Sequence, residues 1–129
     1  MSEKPVILVV DDDGPILALM HNVLKEFGFQ PLTAANGPEA IDVARKQRPA
    51  LVLLDKNMPG MPGDEVIRNL RGEPGLDKLP ILILSGERLS RAELAELGAD
   101  GAVQKPFDVT LLVEQIRQYV CGDGHPTQS

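Results

Sequence analysis

The chain has 129 residues and a mass of 14.0 kDa, which suits one domain with a single hydrophobic core. Aromatic residues make up only 3% of it, so the core is expected to consist of Val, Ile, Leu and Ala. The net charge of −6, without any basic cluster, argues against nucleic-acid binding, and no apolar run is long enough to cross a bilayer. With a single Cys121, the sequence predicts a cytoplasmic protein without a disulfide.

Two strands and two helices are predicted in the first part of the chain. Val6–Val10 is a continuous apolar run, typical of a strand buried on both faces of a parallel sheet. Apolar residues then recur at helical spacing between residues 16 and 27, and Gly28 is placed to end that helix in a left-handed conformation. Gln30–Ala34 predicts a weaker strand, and the second helix enters through Asn36-Gly37-Pro38.

Three further strands and three helices are predicted in the rest of the chain. Apolar runs at residues 51–54 and 81–84 predict buried strands, and Gly101–Gln104 a weaker one. One helix begins near Gly63, the next at Ser90, which has capping-box spacing to Glu93, and the last carries an apolar stripe after Asp108. Residues 1–120 then form the domain, and residues 121–129 are expected to be a disordered tail or a truncated linker.

Five strands alternating with five helices predict a doubly wound α/β fold with a parallel sheet. Right-handed crossovers place the carboxyl end of every strand at one edge, where ligands bind in such folds. Polar residues follow four of the strands, and they are Asp11-Asp12-Asp13, Asp55-Lys56-Asn57, Ser85-Gly86 and Lys105-Pro106.

These strand ends form a coherent chemical set. Three adjacent carboxylates repel one another unless a cation or water compensates them, and carboxylate and carbonyl oxygens are the ligands that Mg²⁺ prefers. Asp55 is then a candidate nucleophile toward a phosphoryl group, with Ser85 and Lys105 able to contact the phosphoryl oxygens.

Each of these residues also has an ordinary explanation. The three Asp residues could cap the first helix, Ser85 could be a plain loop residue, and Lys105 could be a solvated lysine. Asp55 is harder to dismiss, because a carboxylate directly after a buried strand is costly unless function or solvent retains it. The clustering at one sheet edge favours a functional site.

Four separated motifs strengthen that interpretation: ILVVDDD at residues 7–13, LVLLDKNMPGMPG at 51–63, LPILILSG at 79–86 and GADGAVQKPF at 98–107. In this order and spacing they resemble the receiver domains of two-component response regulators, of the single-domain chemotaxis kind in length. The resemblance covers about residues 5–120. It implies a flavodoxin-like (βα)5 sandwich with strand order 2-1-3-4-5.

The resemblance also implies a role for each site residue. Asp55 accepts a phosphoryl group from a histidine kinase or a histidine phosphotransfer protein, with Ser85 and Lys105 as its catalytic partners. The implied Mg²⁺ ligands are Asp11, Asp12, Asp55 and the backbone carbonyl of Asn57. Asp13 is expected to cap the first helix or to face solvent. Such a domain is a phosphorelay switch rather than an enzyme with a turnover substrate.

The output is left open. A partner could read the face built from the fourth helix, the fifth strand and the fifth helix, or an output domain could follow Ser129 in a longer chain. A phosphorylation-dependent dimer stays open as well, and contact with nucleic acid or membrane is not expected.

Two positions refine the expected switch. Ala102 stands where many receivers carry an aromatic ring, so a backbone and fourth-helix response is expected rather than a rotamer flip. Asn57 and Glu87 match the pair seen in fast-cycling chemotaxis receivers, which suggests a short-lived phosphoryl group.

The strongest alternative is a haloacid-dehalogenase-type phosphatase. Asp11 would be its nucleophile, Asp13 its general acid, and Ser85 and Lys105 its later motifs. No acidic pair follows Lys105, however, and residues 55–60 would have no role. An FMN carrier would suffer repulsion between its phosphate and the three carboxylates, and a receiver that never takes phosphate would not need the complete set.

Overall fold

The computed structural model describes residues 4–105 and 108–120 and consists of a parallel sheet between two layers of helices. The strands are β1 (Val6–Val10), β2 (Gln30–Ala34), β3 (Leu51–Asp55), β4 (Ile81–Ser85) and β5 (Gly101–Gln104). The helices are α1 (Gly14–Glu26), α2 (Gly37–Gln47), α3 (Gly63–Arg71), α4 (Arg91–Leu97) and α5 (Val109–Val120). The strand order is β2-β1-β3-β4-β5, which confirms the predicted flavodoxin-like topology.

Two strands extend one residue farther than predicted. Asp55 pairs with Leu84, and Ser85 pairs with Gln104, so both polar residues are the last members of the ladder rather than the first of a loop. Their backbone is therefore held by the sheet, which fixes the direction in which each side chain leaves it.

The alternation of side chains along the strands sorts the core into two layers. On β3, Leu51 and Leu53 pack with α1 and α5, whereas Val52 and Leu54 pack with α2 and α3. Asp55 continues the first series. By the same alternation Asp11 and Lys105 belong to the α1/α5 side and Ser85 to the opposite side, and these four residues are brought together at the carboxyl edge of the sheet.

Helix ends follow the local signals in the sequence. Asn36 caps α2 by accepting a hydrogen bond from the Glu39 N–H at 2.8 Å, and Ser90 and Glu93 form the predicted capping box of α4. Gly28 and Gly98 both adopt positive φ, +92° and +83°, as expected for residues that end helices.

The end of α2 had no such signal, because it falls on Arg48, a non-glycine residue with φ of 51°. Its guanidinium donates to the carbonyl of Pro74 at 2.7 Å, which helps to hold the unusual backbone in place. The longest of the described helices has 13 residues, and none among them could span a membrane. The predicted tail, residues 121–129, lies outside the described residues, so the domain boundary at residue 120 stays a prediction.

Candidate functional site

Three carboxylates meet at the carboxyl ends of β1 and β3, which are neighbours in the sheet. Asp11, Asp12 and Asp55 each offer one oxygen, and these oxygens lie within 4.8 Å of one another. Asp11 and Asp55 are only 1% and 6% exposed, whereas Asp12 faces solvent. The sequence predicted repulsion among the adjacent Asp11, Asp12 and Asp13, whereas in the structure Asp55 takes the place of Asp13 in the cluster. Two of the three clustered carboxylates, Asp11 and Asp55, are shielded from water.

Asp11 has one oxygen that is satisfied and one that is not. Its Oδ1 accepts a hydrogen bond from the Asp13 N–H at 3.0 Å, but its buried Oδ2 receives none from residues 4–105 and 108–120. The pKa of Asp11 is raised mainly by burial and also by the charge of Asp55, while the Asp13 N–H and Lys105 act in the opposite direction. A buried carboxylate oxygen without a donor is costly, and a cation can compensate it.

Lys105 supplies the positive charge of the pocket. Its Nζ donates to Asp55 Oδ1 at 3.1 Å and lies 3.5 Å from Asp11 Oδ2, too far for a good hydrogen bond. Partial burial lowers the pKa of Lys105, but the hydrogen bond to Asp55 and the charges of both carboxylates outweigh burial and raise it. One ammonium faces three carboxylates, so the pocket keeps an excess of negative charge.

Ser85 ends β4 beside this cluster and is 2% exposed. Its Oγ accepts a hydrogen bond from the Glu87 N–H at 3.0 Å. Because a hydroxyl has a single donor, this arrangement leaves the Ser85 proton free to be donated to an incoming oxygen.

The loop after β3 carries the remaining predicted ligand and one residue to which the sequence assigned no role. Asn57 is exposed there, two residues beyond Asp55, and the role of its carbonyl as a ligand stays a prediction. Lys56 pairs with Glu87 at 3.8 Å across the ends of β3 and β4. Only the proximity of two strand ends brings these charges together, which explains why no local pattern revealed the pair.

The donor set fits Mg²⁺. All the candidate side-chain ligands are oxygens, and oxygens that share one Mg²⁺ lie roughly 3–4 Å apart. The oxygens of Asp11, Asp12 and Asp55 lie within 4.8 Å of one another, which is close to that spacing. Asp11 Oδ2, which receives no hydrogen bond, is the atom with most to gain from such a ligand.

Asp13 has the structural role that the sequence suggested. Its side chain caps α1 by accepting a hydrogen bond from the Ile16 N–H at 3.3 Å, and its own N–H binds Asp11. Asp13 therefore supports the pocket from outside, while Asp11, Asp12 and Asp55 form it.

Known proteins share both the sequence and the fold. The chain matches the response regulator receiver domain family over residues 7–117. It is 38% identical over 120 residues to sporulation initiation phosphotransferase F of Bacillus subtilis, covering 93% of this chain and 95% of that protein. It is also 36% identical over 113 residues to the phosphate regulon transcriptional regulatory protein PhoB of Escherichia coli, with 86% of this chain and 49% of that protein covered. The chain thus spans nearly all of the first relative and about half of the second.

Two solved structures show the same architecture. Chemotaxis protein CheY4 of Vibrio cholerae has a TM-score of 0.86 and 31% identity, with 91% of this chain and 99% of that chain covered. The receiver domain of sensor histidine kinase PA1611 from Pseudomonas aeruginosa, solved with a magnesium ion in its active-site cleft, has a TM-score of 0.84. Its identity is 23% with coverages of 92% and 99%, so it compares the fold only.

Proposed function

This chain belongs to the response regulator receiver domain family, and from that premise we propose that Asp55 accepts a phosphoryl group from a histidine kinase or a histidine phosphotransfer protein. It is a signalling protein of a two-component phosphorelay rather than a catalytic enzyme. The observation that carries the choice of Asp55 is its position. It is nearly buried at the end of β3, bonded to Lys105, and within 4.8 Å of the Asp11 and Asp12 oxygens.

The proposed transfer is a displacement at phosphorus. An oxygen of Asp55 attacks, a bond from that oxygen to phosphorus forms, and the bond from phosphorus to the imidazole nitrogen of the donor breaks. The leaving imidazole keeps the electron pair. Asp11, Asp12, Asp55 and the Asn57 carbonyl would hold Mg²⁺, which would supply the positive charge that offsets repulsion between the pocket and the anionic phosphoryl group.

Two side chains of the site complete the reaction. The Lys105 ammonium already contacts Asp55 Oδ1 at 3.1 Å, so it can pair with a phosphoryl oxygen with little movement. The Ser85 hydroxyl accepts from the Glu87 N–H, which does not use its own proton, so it can donate that proton to a phosphoryl oxygen. We propose that these two donors bind separate phosphoryl oxygens, Lys105 from the α1/α5 side and Ser85 from the opposite side of the sheet.

The donor and the output need separate proposals. The relative from Bacillus subtilis is named a phosphotransferase, which supports a phosphorelay protein as the partner. The regulators of which this chain covers about half carry further sequence beyond the matched part. A partner protein or an output domain outside the given sequence would therefore read the phosphorylated state.

The decisive experiment is intact mass after incubation with Mg²⁺ and acetyl phosphate. Wild-type protein should gain one phosphoryl group, Asp55→Asn should gain none, and EDTA should abolish the adduct. Asp64→Asn is the matched control, because Asp64 is exposed at the start of α3, outside the carboxylate pocket. An adduct that persists in Asp55→Asn but disappears in Asp11→Asn would instead establish the phosphatase alternative with Asp11 as nucleophile.

A further inference from the structure

Arg71, the last residue of α3, makes the densest set of hydrogen bonds in the described part of the chain. Its Nε and Nη2 donate to the carbonyl of Gly98 at 3.2 and 2.9 Å. Its Nη1 donates to the carbonyls of Asp77 and Leu79 at 3.1 and 2.9 Å. Its Nη2 also donates to Asp100 Oδ2 at 3.0 Å. All five N–H groups of the guanidinium are therefore used.

Asp100 ties this network to the sheet. The Oδ2 that accepts from Arg71 also accepts from the N–H of Ile81, the first residue of β4, at 2.8 Å. The N–H of Asp100 donates to the Ile81 carbonyl at 2.9 Å, and the Tyr119 hydroxyl donates to the Asp100 carbonyl at 3.3 Å. We call Arg71, Gly98 and Asp100 the latch. It fixes the carboxyl end of α4 to α3, β4 and α5.

The amino end of α4 lacks comparable anchors among the described residues. The capping box joins Ser90 and Glu93 only to each other. Just before it, Glu87 pairs with Lys56 at 3.8 Å, but the Glu87 side chain is 82% exposed, and such pairs contribute little. No residue of α4 is fully buried. Leu89 and Leu94 pack, partly buried, against the core near this end. Among the described residues, however, hydrogen bonds to other elements hold the seven-residue helix, about 10 Å long, at its carboxyl end only.

The loose end is also the end connected to the phosphorylation site. The Ser85 oxygen accepts from the Glu87 N–H, so a phosphoryl group that draws the Ser85 hydroxyl toward itself disturbs this bond directly. The disturbance enters the chain at residues 86–90 and reaches α4 at Ser90. At the far end, two hydrogen bonds from Arg71 hold the Gly98 carbonyl.

We propose that Arg71 is a positioning residue that makes Gly98 a fixed pivot, so that phosphorylation swings the amino end of α4 and leaves its carboxyl end in place. This inference rests on the proposed phosphorylation of Asp55. The part of α4 whose surface changes on phosphorylation is then the turn around Ser90 and Arg91, and a partner protein would recognise the change there.

The test is amide hydrogen exchange by NMR on the full chain with Mg²⁺, with and without acetyl phosphate, the adduct being confirmed by intact mass. The Glu93 amide, bonded to Ser90 Oγ, reports on the loose end, and the Gly98 amide, bonded to the Leu94 and Ala95 carbonyls, reports on the pivot. We expect phosphorylation to change exchange at Glu93 by about five-fold or more and at Gly98 by less than about two-fold.

Arg71→Lys removes the planar fork while keeping the charge. In this variant Gly98 should respond to phosphorylation as strongly as Glu93. Arg45→Lys is the matched control, because Arg45 is half exposed and, among the described residues, makes ion pairs of 3.7 and 4.0 Å with Asp42 and Glu73 and no side-chain hydrogen bond. Should Arg71→Lys fail to fold, two comparisons replace it. One is Asp100→Asn, which alters the other side chain of the latch and should make Gly98 respond more strongly than in wild type. The other is the difference between the Glu93 and Gly98 amides in the wild-type protein.

Two results would overturn the pivot. One is a wild-type Gly98 amide that responds as much as Glu93, and the other is an Arg71→Lys protein in which Gly98 stays as quiet as in wild type. Absence of the phosphoryl adduct in the mass spectrum is a different failure, because it refutes the proposed function on which the pivot depends.

Discussion

Two charged clusters lie at opposite edges of the same sheet, and they are built by opposite rules. In the latch at the amino ends of β4 and β5, every N–H of Arg71 has an acceptor and Asp100 Oδ2 accepts twice. In the pocket at the carboxyl ends, Asp11 Oδ2 is buried without a donor and three carboxylates face one ammonium. The satisfied hydrogen bonds of the latch stabilise the fold, whereas the pocket contains a buried oxygen that a ligand can satisfy.

The largest expected effect is on the latch. Arg71→Ala should lower the free energy of unfolding by about 3 kcal/mol, because it leaves three carbonyls without their donor and removes one of the two donors to Asp100 Oδ2. Urea denaturation measures this directly. Arg45→Ala should change the same quantity by less than about 0.5 kcal/mol. If both variants lost the same free energy of unfolding, the hydrogen bonds of Arg71 would stabilise the fold no more than the surface ion pairs of Arg45 do.

The second effect belongs to the pocket and requires a ligand. Mg²⁺ at about 100 times its dissociation constant should stabilise the wild-type fold by about 2.7 kcal/mol, and EDTA should reverse the gain. Asp11→Asn should lose this response, while Arg71→Lys should retain it. Urea midpoints with and without MgCl₂ provide the comparison. A Mg²⁺ response that survives in Asp11→Asn would show that the unsatisfied oxygen is not where the cation binds.

A third measurement concerns the pocket without metal. Asp11→Asn should raise the free energy of unfolding by about 1 kcal/mol, because it removes a buried charge that burial and Asp55 both disfavour. Stability would then rise in the same variant that loses Mg²⁺ binding. Metal-free urea denaturation beside the Asp64→Asn control decides the sign, and a loss of stability would mean that Lys105 already compensates Asp11.

A smaller effect is expected on the lifetime of the phosphoryl group. Asn57 and Glu87 are exposed two residues beyond Asp55 and Ser85, the last residues of β3 and β4. Replacing both with Ala should lengthen the half-life about five-fold, close to 1 kcal/mol in activation free energy. The decay of the intact-mass adduct gives the rate, with Glu96→Ala as control. An unchanged half-life would remove the basis for a short-lived phosphoryl group.

The smallest expected effect is on the pKa of Glu93, at the amino end of α4. The Ser90 N–H and hydroxyl hold the pKa of Glu93 below its ordinary value, so this carboxylate stabilises the fold at neutral pH and stops doing so as the pH falls through its lowered pKa. NMR titration should show a Glu93 pKa that is higher in Ser90→Ala than in wild type but still below its ordinary value, because the variant loses the hydroxyl and keeps the backbone N–H at position 90. A Glu93 pKa that is the same in Ser90→Ala and in wild type would mean that the hydroxyl contributes nothing and that the backbone N–H lowers the pKa.

The pocket could be predicted from the sequence because its members are each adjacent to a strand. Alternation along parallel strands is enough to bring Asp11, Asp55 and Lys105 to one edge. In the structure the Lys105 ammonium lies 3.5 Å from Asp11 Oδ2 and 3.1 Å from Asp55 Oδ1. The caps of α2 and α4 were legible for the same reason, since each depends on neighbours three residues apart.

The latch could not be predicted in this way. Arg71 looks like any basic residue in the last turn of a helix, and its partners come from two loops that meet only in the folded chain. The choice of which Asp11 oxygen lacks a donor was equally hidden, because it depends on the turn that brings the Asp13 N–H to the other oxygen. Sequence periodicity reports on neighbours along an element and not on side chains that bridge elements.

The alternation of side chains along the strands has one more consequence. Asp55 belongs to the series that faces α1 and α5, whereas Ser85 belongs to the series that faces the other layer of helices. A phosphoryl group bound by both residues would lie at the carboxyl edge of the sheet, between the two layers of helices. Because α4 lies in the second layer, a donor bound on the α1/α5 side and a partner bound to α4 would use different surfaces.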